Sequence, residues 1–497
     1  MRRASCLSLL LVAGLLAPGA ALADADAIKQ GIADYLKEAG DRAEDADLSY
    51  KDLTVEPDGP GYLVSLTGLQ IANDDGLLVD LGDTRFSVQE STGDYLVSNV
   101  SLPPSIVISN AKEPGKGTLT WTLERLTGTW SPTLEEFKAL DGAFSAIALA
   151  FDEGEGGKSG TVQMGDLALK VATQENGAHD WDQQSSFVLG PVDFKDPEGQ
   201  GSLAIAQVSA HNDIQGLDPV AYLQQLQDIG ALQEAHEAKD EAKVKELTDA
   251  LLAMQPVAHG LKEVIALSGL SFVDLSSDSD SFEVAEVTLT IGGNAPAEQK
   301  TGTLSLGFDG KGFALTGKNL TGEDKLAALL APHDWTLDLE AQKLPLAVLN
   351  KVAMEMVFAT VGTRDEPDVS VPDVMEAMGT AGSEVLLRRL SLVSEQAQLE
   401  GEAKATVDPT SAFGAVGTAL VTLAGVEKLE AAVGDLPAGQ QQQFAGILVF
   451  LKGLGKPETR DGAVVYSYAF DVPADGNVTL NGQPLGALMG GGAGGNQ

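Results

Sequence analysis

Ser109 and Lys112 spell the S-x-x-K of the penicillin-binding enzymes, and Lys300, Thr301 and Gly302 follow as their K-T-G. In that chemistry a serine at a helix start is activated by a lysine one turn on, and a middle S-x-N element completes the site. Here Pro114 and Gly115 follow Lys112 at once and no S-x-N lies between, so the residue types occur without their scaffold. The stretch DEGEGGKSG, 152 to 160, imitates a phosphate loop at Gly157-Lys158-Ser159. A true loop has a glycine five residues before the Gly-Lys pair so that backbone amides wrap phosphate. Asp152 stands there instead, and Glu153 and Glu155 would repel the anion.

Metal chemistry is equally thin. His179, His211, His236, His259 and His333 are scattered singly, without the H-x-x-x-H spacing of a zinc pair. Asp278, Asp280 and Glu283 offer hard oxygen ligands to calcium, but the stretch lacks the central glycine of a calcium loop. A solvated turn and a calcium site both stand as readings of it. No catalytic, cofactor-binding or metal residue is assigned, and no cofactor is expected.

The elements that would position a site begin after residue 23. Arg2 and Arg3, an apolar run from Leu7 to Leu16, and Ala21-Leu22-Ala23 form a secretory signal peptide cut after Ala23. Cys6 lies inside it, so the mature chain is expected to have neither disulfides nor thiol chemistry. The expected compartment is the periplasm. The leader carries two basic residues and no acidic one, which leaves 30 basic against 72 acidic residues and a net charge of −42. Such a balance excludes nucleic acid, whose binding needs basic surface to displace counterions. It also repels anionic headgroups within a Debye length of about 8 Å. Residues 409 to 426 carry no charge, yet their Gly, Thr, Ser and Pro content reads as a bend into a buried strand at 418 to 426. No transmembrane anchor is expected in the mature chain.

Periodicity sets the architecture. Ile28, Ile32, Tyr35 and Leu36 make one apolar face of a helix over 24 to 39, stopped by Gly40. From Tyr50 to Leu126 the period is two, with turns at PDGPG, NDDG and STGD: an antiparallel meander. SPTLEEFKALDGAF then predicts a helix, with Pro132 at its start and Thr133 and Glu136 as a capping box. Strands resume at GTVQMGDLALKVA, SSFVLGPVDF and GSLAIAQVSAH, and 218 to 255 is the strongest helical block. Further strands are expected from 264 to 317, near 390 to 407 and at 418 to 426. Helices are expected near 324 to 331, 345 to 360, 371 to 389 and 440 to 452. A hairpin at 466 to 485, hinged on Asp475-Gly476, completes the last sheet, and its deletion is expected to destabilise the C-terminal half. WTLE at 121 to 124 and WTLD at 335 to 338 each precede a proline, Pro132 or Pro345, at the start of a predicted helix. That echo suggests two related halves, with coincidence as its alternative.

The order of signal peptide, meander, GTWSPTLEEF, LAPHDWTLDLEAQKLP and a closing DGNVTLNGQPL resembles exported proteins of the domain of unknown function 2125 family. The ending is similar to that of YdgA-type periplasmic proteins, and the β-rich repetition is more distantly similar to AsmA-type envelope proteins. The first family has no assigned activity, so the resemblance implies no site residues. The AsmA-type likeness implies a lipid-facing β-groove.

The expectation is therefore a β-rich α+β protein: extended, twisted antiparallel sheets with helices packed on one face. The expected divisions are the signal peptide 1–23, a β-rich half 24–217, a helical connector 218–262, an α+β half 263–485 and a disordered Gly-rich tail 486–497. The leading function is a non-catalytic exported protein that binds an apolar ligand, a lipid or an envelope protein. An envelope hydrolase and a structural spacer are the alternatives: Ser109 and Lys112 within hydrogen-bonding distance at a cleft near Lys300 would mark the first, and a closed core with no open apolar face the second.

Overall fold

Alternation of apolar and polar side chains decides most of this chain, because successive strand residues point to opposite sheet faces. The computed structural model describes residues 24–490 apart from 43–45, 74–75, 111, 113–114, 133–135, 153–158, 178, 255, 275–279, 297–298, 317–329, 364–369, 435–437 and 461. The leader, residues 324 to 329 of the helix expected near 324 to 331, Asp278 of the calcium candidate and residues 491 to 497 of the expected tail lie outside the described residues. The protein is β-rich α+β, and its strands pair antiparallel. Its chain divides into two units. One runs to Asp213 and includes Leu267–Ser277; the other comprises Ile214–Ala266 and the residues from Asp278.

In the first unit, helix α1 (Ala25–Arg42) buries Ile28, Ile32 and Leu36 against the strands Ala46–Ser49 and Asp52–Asp58. The helix runs through Gly40 rather than stopping there. Tyr35's side chain lies outside the described residues. The meander follows as Gly61–Asn73, Leu77–Ser91, Asp94–Ser101, Ser105–Asn110 and Lys116–Ser131, with Val64, Phe86, Val88 and Val97 almost wholly buried in one core.

The helix expected at SPTLEEFKALDGAF is instead the strand Glu136–Asp152, paired with Lys116–Ser131. Phe137, Phe144 and Ile147 are buried at spacings of seven and three, which imitate a helical period. The imitation has a cause. Trp130 pairs with Phe137 and Thr129 with Ala139, so Lys138 is an extra residue; a second bulge lies at Ala146, whose φ is 49°. Each bulge moves the following residues to the other parity, which returns all three apolar side chains to one face. Lys138 bonds Asp94 at 3.0 Å and Glu175 at 2.7 Å and sits 4.7 Å from the Trp181 ring centre. The Pro132 half of the expected echo therefore leads into a hairpin, whereas Pro345 does precede a helix.

In the second unit the block from 218 is two helices, α2 (Pro219–Glu237) and α3 (Glu241–Ala253), capped by the carboxylates of Asp218 and Asp240. With α4 (Leu346–Val361) they bury Leu232, Leu251 and Phe358 completely. α5 (Val371–Ala381) is shorter than the expected 371 to 389. Gly382 takes a left-handed φ of 64°, closing a Schellman cap, and residues 384 to 393 leave as a strand. The single strand expected at 390 to 407 is two, Glu384–Val393 and Gln398–Val407, divided by a turn in which Ser394 bonds Ala397. Strand Ala415–Ala424 occupies the uncharged stretch. No described helix is long and apolar enough to cross a membrane. α6 (Val426–Val433) and α7 (Ala438–Leu454) follow.

The closing hairpin is also redrawn. Its long arm, Ala463–Val472, pairs with Ala415–Ala424 on one side and with Lys456–Arg460 on the other. Residues after the Asp475-Gly476 turn contribute two two-residue strands, Thr479–Leu480 opposite Phe470 and Asp471, and Gln483–Pro484 folded back on it. α8 (Leu485–Gly490) stands where the Gly-rich tail was expected to begin.

Candidate functional site

Register in the second unit places apolar residues of seven successive strands on one face. Strand Asp280–Asn294 sets Leu289 and Ile291 opposite Phe308 and Leu306 of Thr301–Lys311. Those two face Leu337 and Leu339 of Asp334–Pro345, and Leu337 in turn faces Leu390 of Glu384–Val393. The same face continues through Leu399, then Leu423 and Val421, and ends on Tyr466, Tyr468 and Phe470. The intervening residues Thr336, Asp338, Glu340, Gln398, Glu400 and Glu402 belong to the opposite, polar face.

The two ends of this apolar face differ in cover. At the C-terminal end, α6 and α7 bury Val426, Leu429, Val433 and Leu448 against Leu423, Tyr466, Tyr468 and Leu480. Away from that cluster, Ile291, Leu304, Leu306, Phe308, Val385 and Leu392 are between 37% and 46% exposed. Antiparallel sheets commonly leave one face to solvent, but that face is ordinarily the polar one. A contiguous exposed apolar patch marks an interaction surface. In its middle the Trp335 ring lies over Gly310, where a Cβ would meet the indole at 1.9 Å, and 5.9 Å from the Phe308 ring centre. Glycine is required at 310 because the aromatic ring occupies the side-chain space.

Within the covered C-terminal end there is a cavity of about 440 Å³. It is lined by Leu399, Val421 and Phe470 of the sheet, by Phe450 and Leu454 of α7, and by Leu488 of α8, among other apolar groups. Nearby polar atoms are satisfied internally. The Tyr468 hydroxyl donates to the Leu451 carbonyl at 3.0 Å, and the Asn481 amide to the Leu454 carbonyl at 2.9 Å.

The polar face carries a charge cluster of a different kind. Glu384 accepts from Lys343 and Lys404, each at 2.7 Å. Hydrogen bonds from Lys343 and then Lys404 hold its carboxyl at about 2, below its ordinary 4.5. A depressed folded-state value stabilises the protein above the unfolded pKa and loses that contribution as pH falls toward the folded one. Glu384→Gln is thus expected to lower the urea midpoint at pH 7, with the difference from wild type closing between pH 4.5 and about 2.

The residues singled out for chemistry are not assembled for it. Ser109 lies within the strand Ser105–Asn110, opposite Leu78 and Lys116, rather than at a helix start. Lys112 follows in the turn, its backbone N–H donating to Asn110 at 2.8 Å. Lys300 precedes a strand of the other unit, and its carbonyl accepts from Leu346. Asp152 and Ser159 pair at the base of a hairpin whose tip, 153 to 158, lies outside the described residues. Among the described residues no three His, Asp or Glu side chains are grouped to hold a metal ion. Alternation in TLSLGFDG and WTLDLEAQ carries the signal of this face, but neither its exposed residues nor the cavity follows from the sequence alone. No family model, no curated protein and no solved structure matches the chain.

Proposed function

We propose that the protein is an exported, non-catalytic binding protein that holds an apolar ligand against the sheet of its second unit. The observation that carries this reading is the seven-strand apolar face, open away from its C-terminal end and, at that covered end, enclosing a cavity without polar lining. A concave apolar site of this size falls in the range of about 300–1,000 Å³ typical of small-ligand pockets. A flat protein interface has no use for such a recess, which favours a small ligand over a protein partner. The signal-peptide-like start and the resemblance to exported envelope proteins support a periplasmic setting, and the AsmA-type likeness supports a lipid-like ligand. Native mass spectrometry of protein purified from envelopes is expected to show a co-purifying apolar molecule, recovered by solvent extraction. A ligand-free protein that also fails to take up Nile red would overturn the reading.

A further inference from the structure

The cavity at the end of the apolar face specifies more than hydrophobicity. It is bounded by the sheet on one side and by α7 and α8 on the other, and among the described residues no polar atom is offered to an occupant. The hydroxyl of Tyr468, which lines it, is already bonded to the Leu451 carbonyl of α7. Water gains nothing in such a space, because an ordered water needs two to four polar partners. A ligand headgroup placed there would lose its hydration without replacement. The part of the ligand inside is therefore hydrocarbon.

The location of the mouth follows from one side chain. Phe450 lines the cavity and is nevertheless 56% exposed, with its neighbour Val449 67% exposed. An α7 residue at once in the wall and in solvent marks the rim, so the headgroup is left on that side. α7 and α8 together carry one charged residue, Lys452. It is committed to Glu430 at 2.6 Å and lies 3.9 Å from Glu427. The roof thus supplies no free cation for an anionic headgroup, and the chain's net charge of −40 opposes one at longer range.

We infer that the cavity takes the aliphatic tail of an uncharged or zwitterionic amphiphile, inserted tail-first past Phe450 beneath α7 and α8. This rests on the reading that the second unit binds an apolar ligand, and it adds the ligand's chemical class and orientation. The test is photolabelling of the full chain with an alkylphosphocholine bearing a diazirine at its tail end, followed by peptide mapping. Insertion is expected in peptides containing Val421, Phe450 or Leu488. Val421→Trp fills the cavity from the sheet and Leu488→Trp from the last helix. Each is expected to lower labelling of those peptides at least tenfold, with folding checked by circular dichroism; should one variant not fold, the other decides. A probe with the same chain and a carboxylate head is expected to label at least tenfold less. Labelling confined to residues 301 to 345 and indifferent to both substitutions would overturn the cavity assignment while leaving the apolar face as the ligand surface. Equal labelling by the carboxylate probe would overturn the headgroup class. Labelling no higher than that of heat-denatured protein would overturn this inference and the function together.

Discussion

Leu306→Glu combined with Phe308→Glu is expected to weaken Nile red binding on the open face at least a hundredfold, leaving the cavity's share of uptake in place, and to lower the melting temperature. Both side chains are 39% exposed on the open part of the apolar face. Burying a whole Leu or Phe is worth about 1.5–3 kcal/mol, so the exposed fraction of the pair offers a ligand roughly 1–2 kcal/mol. The carboxylates add a larger effect, because a ligand seated on them must strip their hydration at a cost of several kcal/mol per ion. A hundredfold loss needs only about 2.7 kcal/mol. Folding is weakened as well, since more than half of each side chain is already covered and Phe308 packs against Trp335, so uptake is compared per folded protein with folding checked by circular dichroism. Ser305→Glu, on the opposite face of the same strand, is the control and leaves uptake unchanged. Equal uptake by the double variant and the control would remove the open face as the binding surface.

That contrast between faces was half legible in the sequence. The alternation in residues 303 to 310 and 335 to 341 showed that two faces differ, and the register joins those strands into one apolar surface. Hydropathy does not reveal which apolar face a helix covers, because that depends on where chain turns deliver the helices. Val426, Leu429 and Val433 lie at helical spacing and are buried, yet the strand expected at 418 to 426 runs into the first of them and hides α6. The strand at 136 to 152 failed for the opposite reason, its two bulges having converted a period of two into apparent spacings of seven and three. Bulges are set by pairing with the partner strand, so a single segment's pattern does not disclose them. Helices with conventional ends, α2 with its Asp218-Pro219 start and α4 after Pro345, were legible because local chemistry alone fixes them. Catalytic lookalikes failed on the same ground: Ser109 has the right neighbours in sequence and the wrong secondary structure beneath it.

The segment from Tyr466 to Leu485 has a large structural consequence for the second unit. Its deletion is expected to abolish hydrogen-exchange protection across residues 415 to 454 while the first unit's strands between 52 and 189 keep theirs. Strand Ala463–Val472 is interior, bonded along its length to Ala415–Ala424 and over five residues to Lys456–Arg460. Deletion strips Tyr466, Tyr468 and Leu480 from the cluster that holds α6 and α7. Each truncation of a buried side chain of this size costs about 2–5 kcal/mol. Three such losses, together with an unpaired strand edge, match or exceed the 5–15 kcal/mol that stabilises a typical domain. The α7 carbonyls of Leu451 and Leu454 also lose the Tyr468 hydroxyl and the Asn481 amide. Ala415–Ala424 would then present an apolar, unpaired edge, so the truncated protein is expected to self-associate as well. The first unit is spared because its buried core is assembled from residues between Ile28 and Leu167. A truncated chain with unchanged melting and undiminished protection of 415 to 454 would show that this strand is an appendage, and that the cavity's roof is held by other contacts.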